Sequence, residues 1–146
     1  METPSATIPI AFVRGMLSAQ KSASRRDYFL SKAGIYPKLL ELDNARVTIE
    51  QYISLFNILV VETNDEGLGF FSRPLRIGTF SMLARSALSG DTLEVAMRRL
   101  SHTFGLLQDD IVLEPMREGP LAVLSLRFVD DSNPKAPFLQ ELLLRV

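Results

Sequence analysis

The sequence contains no cysteine, no tryptophan and only one histidine. Without cysteine, the chain can hold neither a disulfide framework nor a thiolate metal site. A single histidine also excludes a histidine-rich metal site. The net charge is only −1, so the chain lacks the basic surface that binding to nucleic-acid phosphates requires. These absences predict no metal, no cofactor and no DNA binding by this chain itself.

Long apolar runs are also missing. Uninterrupted apolar stretches reach only a few residues, as at 58–61, far below the roughly 18 that span a bilayer. The N-terminus has no basic region before its short apolar stretch, which is unlike a secretory signal. We therefore expect no membrane association and a cytoplasmic location.

What the chain does have is enough apolar material for a core. Apolar residues make up 47% of the 146 positions, which excludes intrinsic disorder at this low net charge. The length suits one domain. Residues 1–7 are small and polar and predict a frayed, disordered arm. Residues 8–146 are predicted to form a single domain.

The first two thirds of the sequence carry helical periodicity. Apolar residues recur there every three or four positions. They predict about five helices, from about 8 to 22, 25 to 32, 49 to 62, 80 to 88 and 92 to 107. Thr48 and Gln51 have the spacing of a capping box, and so do Asp91 and Glu94. Thr79 is the expected cap of the fourth helix. Gly15 inside the first helix either permits close packing or weakens the helix.

The remainder of the sequence predicts a β-hairpin and a last helix. From residue 111 the apolar period changes to two, and turn-forming residues at 117–120 separate two strands, the second running to Val129. Pro137 begins the last helix, which reaches Val146 without a cap. This suggests a cut inside a larger unit, or completion by another chain. The alternative is a short helix docked on the hairpin. The expected fold class is α+β.

Catalytic motifs are scarce. Gly67 and Gly69 give only a weak phosphate-loop signal, because no strand-to-helix turn surrounds them. A small enzyme would need His102 beside Asp109 or Asp110. We expect His102 to face solvent and both acidic pairs, at 109–110 and 130–131, to be solvated turn residues. The chain is therefore predicted not to be an enzyme.

Several arginines and phenylalanines could meet a small ligand. Arginines at 73, 76 and 85 lie near the start of the fourth helix, whose N-terminus favours an anion. Phenylalanine is more often core than pocket, yet pockets are lined by it. The candidate ligand-binding residues are Arg76, Phe80, Arg85 and Phe104. The Arg98–Arg99 pair could clamp a phosphate or carboxylate, although one facing solvent and one facing an acid is the simpler interpretation.

Two stretches carry a resemblance to a known family. The first joins Ile8-Pro9-Ile10 with FLSKAGIYPKLL and DNARVTIEQY, and the second reads SRPLRIGTFSMLARSALSGDTLEVAMRRLSHTFGLL before the hairpin. Their order and spacing resemble the N-terminal effector domain of AraC-type transcriptional regulators, in the subgroup labelled arabinose-binding. The resemblance covers roughly residues 8–146. It implies a small-molecule effector, a homodimer, and DNA binding only through a C-terminal helix-turn-helix domain that this chain lacks.

Two functions follow as hypotheses. In the first, this is the ligand-sensing and dimerisation domain of an AraC-type regulator, in which an effector shifts the population between two arrangements. The hairpin and the Pro137 helix are the expected transmitters. The alternative is a structural or protein-interaction domain without a small ligand, supported by the surplus of aliphatic side chains on several helices.

Overall fold

The computed structural model describes residues 6–130 and 137–144. Within them lie six α-helices, one short 3-10 helix and two two-stranded antiparallel sheets, which confirms the α+β class. The elements are β1 (Thr7–Pro9), α1 (Ile10–Leu17), α2 (Ala23–Lys32), the 3-10 helix (Pro37–Glu41), β2 (Arg46–Thr48), α3 (Ile49–Thr63), α4 (Thr79–Leu88), α5 (Leu93–Leu107), β3 (Ile111–Glu118), β4 (Leu121–Phe128) and α6 (Pro137–Leu144).

Backbone contacts divide the chain into two compact units. The first unit runs as far as Phe70 and also includes α6, and the second begins at Phe71 and contains α4, α5 and the hairpin. The prediction of one sensing domain over residues 8–146 stays a prediction. Of the predicted arm, residues 1–5 lie outside the described residues, whereas Thr7 already belongs to β1 and pairs with Thr48.

The first unit is built around the buried faces of its helices. Its most completely buried side chains are Ile10, Val13, Met16, Leu17, Phe29, Leu30, Ile35, Leu55, Leu59, Leu68 and Leu139. The first helix is shorter than predicted, since β1 takes residues 7–9 and pairs with β2. Pro9 immediately precedes α1, where its missing N–H costs nothing.

The third helix begins as predicted. The Gln51 backbone N–H donates to Thr48 Oγ1 at 3.2 Å, and the Thr48 N–H donates to Gln51 Oε1 at 3.0 Å. This reciprocal pair is the capping box, which satisfies two backbone donors at the helix start. Asn64 ends the helix in the left-handed conformation with φ 50°, within the predicted stop at 63–65.

The glycine-rich turn after α3 surrounds a carboxylate of the chain itself. Asp65 is only 4% exposed, and its two carboxylate oxygens accept the backbone N–H groups of Gly67 and Gly69, each at 2.8 Å. Leu68 between them is fully buried with φ 54°, and Gly69 has φ 83°. The amides that gave the weak phosphate-loop signal therefore bind an internal anion.

Helices α2 and α3 are linked by a charged cluster on the surface of the first unit. Glu62 on α3 accepts hydrogen bonds from Lys32 Nζ and from Tyr28 Oη, the second at 3.1 Å. The Lys32 hydrogen bond is the main cause that lowers the pKa of Glu62, and the same contact raises the pKa of Lys32. The pair thus stabilises the charged form of both groups.

Lys32→Met should raise the pKa of Glu62 toward its ordinary value of 4.5. Because the pKa of Glu62 is lower in the folded state than in the unfolded state, the pair stabilises the fold above that ordinary value. This contribution disappears as the pH falls through the folded pKa. Carboxyl-carbon NMR titration of Glu62 measures the shift. Lys38→Met, on the 3-10 helix, is the matched control and should leave Glu62 unchanged.

The caps in the second unit differ from those predicted by one residue. Helix α4 begins at Thr79, but its cap is Gly78 with φ 100°, and Thr79 Oγ1 donates backward to the Arg76 carbonyl at 2.6 Å. The cap of α5 is Thr92, whose hydroxyl accepts the Val95 N–H at 3.2 Å, and not Asp91. Thr92 has the extended backbone that is typical of an N-cap, whereas the left-handed backbone of Gly78 is one that glycine adopts without strain.

The hairpin pairs β3 with β4 in antiparallel register from Ile111 opposite Phe128 to Glu118 opposite Leu121. The Ser101 hydroxyl of α5 donates to the Leu113 carbonyl, and Gln108 Oε1 accepts the Asp110 and Ile111 N–H groups at 2.8 Å. These bonds seat α5 on β3. The predicted apolar face of β4 is only partly covered, because Leu124 near the turn is 38% exposed.

Candidate ligand site

The four predicted ligand residues all belong to the second unit and differ in their exposure. Arg76 and Arg85 are exposed, Phe80 is half-buried, and Phe104 is buried with its ring edge-on to Phe71 at 6.0 Å. None of them lines any of the four concavities described below. Their assignment as a ligand site stays a prediction.

The single histidine is exposed, as the sequence indicated. It borders an open depression of about 450 Å³ that Asp109 also borders. The neighbouring carboxylates have other partners, since Asp109 forms an ion pair with Arg73 at 3.0 Å and Asp110 accepts the Ser72 N–H at 2.7 Å and its hydroxyl at 2.9 Å. No hydrogen bond joins His102 to either carboxylate within residues 6–130 and 137–144.

Two adjoining concavities in the first unit have the composition of a ligand pocket. One, of about 420 Å³, lies between α1 and α6, and the other, of about 370 Å³, lies among β1, α1, α3 and α6. Both are bordered by Phe12, Phe138 and Glu141, so we treat them as one site, the α1–α6 cleft. Its remaining borders are Thr7, Ile8, Pro9, Ala11, Arg14, Gly15, Ser18, Tyr52, Pro137 and Leu142. Mostly apolar walls with a few polar groups are typical of small-molecule sites.

Gly15 sets the geometry of the α1–α6 cleft. A Cβ atom at Gly15 would lie 2.8 Å from Phe138 Cβ and 2.9 Å from Phe138 Cδ2, closer than real carbon atoms approach. The Phe138 ring therefore rests directly on the α1 backbone, and it also packs against Phe70 at a centroid distance of 5.7 Å. Of the two sequence interpretations of this glycine, close packing is confirmed.

Polar groups lie at the rim of the cleft. The Arg14 guanidinium spans from α1 to the 3-10 segment, with Nε donating to the Leu40 carbonyl at 2.7 Å and Nη1 to Asp43 at 3.1 Å. Ser18 Oγ donates to the Gly15 carbonyl at 2.7 Å. Glu141 is exposed on α6. The cleft thus combines three aromatic side chains with one carboxylate, one guanidinium and hydroxyl groups, which suits a small polyhydroxylated molecule with an apolar face.

Sequence periodicity alone does not reveal this cleft. Phe12, Tyr52 and Phe138 recur at helical spacing, a pattern that is equally typical of a buried core. The one signal in the sequence is Gly15. Its role in close packing depends on Phe138, which lies more than one hundred residues later in the chain.

Neither a membrane-spanning helix nor a metal cluster is found in the part of the chain that the structure describes. No helix there combines the length and the apolar character needed to cross a membrane. No group of three histidine, aspartate or glutamate side chains comes together there in a way that could hold a metal ion.

The family model described as the arabinose-binding domain of AraC transcription regulator, N-terminal, matches residues 25–146. The chain belongs to this family. Searches of curated proteins and of solved structures found no match.

Proposed function

We propose that this chain is the effector-sensing domain of an AraC-type transcription regulator and that its effector binds in the α1–α6 cleft. The observation that carries the proposal is the family match over residues 25–146. The family description names arabinose, so a pentose is the first ligand class to test. The proposal includes a cytoplasmic location and a role that is not enzymatic.

The chemistry of the cleft supports a sugar-like ligand. A pentose has apolar C–H faces that can pack on aromatic rings and hydroxyl groups that need hydrogen-bond partners. Phe12 and Tyr52 border the cleft with their rings, and aromatic rings offer large contact areas with defined geometry. The Glu141 carboxylate accepts hydrogen bonds from sugar hydroxyls, and hydrogen bonds to charged groups are the stronger ones.

The position of α6 supplies the switch. Phe138 and Leu139 are buried within the first unit, yet Phe138 also borders both cavities of the cleft. A ligand that fills those cavities favours whichever position of α6 leaves room for it. The equilibrium between positions shifts by no more than the difference in ligand affinity between them. Helix α6 follows the hairpin in sequence. Its change of position is the signal by which ligand binding is passed to the rest of the regulator.

Arabinose should raise the melting temperature of the protein. At a ligand concentration tenfold above the dissociation constant the stabilisation is about 1.4 kcal/mol, equivalent to roughly 3–6 °C for a domain of this size. Glu141→Gln should weaken binding by about tenfold or more, because it removes a charged acceptor. Glu118→Gln, an exposed carboxylate on the hairpin, is the control and should bind normally.

A thermal-shift screen with arabinose, other pentoses and a metabolite library provides the measurement. If no compound raises the melting temperature at millimolar concentration, the sensing proposal is wrong and an interaction domain without a ligand is favoured. If a compound binds equally well to wild type and to Glu141→Gln, the site lies elsewhere.

Dimerisation and control of a DNA-binding domain complete the proposal. The second unit exposes large aliphatic side chains, among them Leu88 at 83% and Leu93 at 67%. Exposed apolar surface of this kind is typical of protein interfaces. Sedimentation of the same samples with and without arabinose shows whether two copies associate and whether the ligand changes that association.

A further inference from the structure

A separate groove crosses the second unit, between the first turns of α5 and the tip of the hairpin. Its volume is about 280 Å³, more than the 150 Å³ or so that holds a benzene molecule. Its lining residues are Glu94, Met97, Arg98, Pro115, Met116, Arg117, Pro120, Leu121 and Ala122. We call it the hairpin groove. None of its residues borders the α1–α6 cleft.

The charges around the hairpin groove are unbalanced. Arg98 and Arg117 face one carboxylate, Glu94, so the lining carries a net charge of +1. Arg98 pairs with Glu94 at 2.8 Å, but both side chains are about two-thirds exposed. An exposed pair one helical turn apart contributes little to stability, so Arg98 can exchange this partner for a ligand.

Arg117 is positioned by the hairpin turn. Its Nε donates to the Gly119 carbonyl at 3.2 Å, which holds the side chain beside the turn. Its terminal nitrogens have no hydrogen-bond partner among the described residues. Guanidinium groups present paired donors that match the two oxygens of a carboxylate.

The apolar walls of the groove lack a covering partner. Met116 is 44% exposed and Leu121 is 62% exposed, and both line the groove together with Met97 of α5. Methionine side chains adapt their shape to varied apolar ligands. The groove therefore offers an apolar wall beside two cationic donors.

We propose that the hairpin groove binds a small organic carboxylate with an aromatic or aliphatic body. The carboxylate lies against Arg98 and Arg117, and the apolar body packs on Met97, Met116 and Leu121. A single net positive charge matches a monoanion better than a phosphate dianion. This site lies in the second unit and does not depend on sugar binding in the first unit.

Methionine methyl NMR provides the direct test, with phenylacetate as the probe. The chain has five methionines, of which Met97 and Met116 border the groove whereas Met16 and Met82 do not. Phenylacetate should shift the Met97 and Met116 methyl signals saturably, with a dissociation constant of about a millimolar, as expected for so small a ligand. Phenylacetamide, its neutral isostere, should bind at least fivefold more weakly.

Arg98→Gln and Arg117→Gln should each weaken phenylacetate binding by at least fivefold. Arg127→Gln is the matched control, since Arg127 is an exposed arginine of the same hairpin that does not border the groove. Unchanged Met82 shifts, from α4 of the same unit, verify that the second unit of each variant is folded. Equal binding of acid and amide, equal loss in Arg127→Gln, or phenylacetate shifts confined to Met16 or Met82 would overturn the proposal. Arabinose binding in the first unit is unaffected by any of these outcomes.

Discussion

Gly15→Ala should destabilise the protein, whereas Gly105→Ala should stabilise it. Both glycines lie inside α-helices, where alanine is favoured over glycine by about 1 kcal/mol. At Gly105 a Cβ atom meets nothing within 4 Å, so α5 should gain about 0.5–1 kcal/mol. At Gly15 the same atom collides with Phe138, and overpacking of this kind costs about 1–3 kcal/mol.

The net effect at Gly15 is a loss of up to about 2 kcal/mol after the gain in helix propensity. The nearest atom is Phe138 Cβ, which is fixed to the α6 backbone, so rotation of the side chain does not relieve the collision. Helix α6 must move. Chemical denaturation of both variants measures the two free energies, and the chemical shifts of α6 report its movement.

The two glycine variants separate the effect of helix propensity from that of the collision with Phe138. The substitution is the same at both positions, so only the surroundings differ. Stabilisation by both variants would mean that α6 does not rest on α1 at Gly15. Destabilisation of Gly15→Ala with unchanged α6 shifts would place the strain in α1 alone. Only opposite signs together with shifted α6 signals agree with the packing described.

Asp65→Ala should lower the free energy of unfolding by about 3 kcal/mol or more. The carboxylate accepts two backbone N–H groups at 2.8 Å in a site that is 4% exposed, and a hydrogen bond to a charged group is worth about 1.5–3 kcal/mol. Alanine leaves both donors buried without an acceptor. It also releases a turn in which Leu68 adopts φ 54°, a conformation that non-glycine residues seldom adopt.

Asp65→Asn separates the role of the acceptor from that of the side-chain volume. The amide oxygen keeps one acceptor while the charge and the second oxygen are lost, so an intermediate loss of stability is expected. Glu66→Ala, next in sequence and only half-buried, should change stability little. If Asp65→Ala and Glu66→Ala behave alike in urea denaturation, the turn does not depend on the carboxylate.

Local patterns in the sequence predicted the helices and the hairpin, because the information for them lies within a few residues. The Thr48–Gln51 box and the left-handed Gly34, with φ 70°, follow from single-residue preferences. The observed N-caps, Gly78 and Thr92, each lie one position from the predicted ones, because adjacent residues compete for the cap position. The strands β1 and β2 were not predicted. Each has only three residues, too few to show the alternation of apolar and polar side chains that is typical of a strand, and Pro9 lies in β1.

The candidate cleft could not be predicted, because its walls come from distant parts of the chain. Periodicity assigns Phe12 and Phe138 to the apolar faces of their helices. It carries no information about which helical faces pack against each other. The candidate ligand residues were chosen on residue type and local position. Arg76 and Arg85 lie near the start of α4, and Phe80 and Phe104 are of a type that lines pockets. Their exposure ranges from open surface to buried core. The family resemblance was confirmed by the match over residues 25–146, and it rested on the order of motifs along the chain.

The contact between Gly15 and Phe138 has a consequence for the order of events during synthesis. Roughly 120 residues separate the two positions, and a ribosome adds about 5–20 residues per second. For some 6–24 seconds, therefore, the nascent first unit exposes the surface of α1 that Phe138 will cover, while the whole second unit is being made. The sequence between them can fold before the first unit closes, and chaperones that bind apolar helices have that interval in which to act.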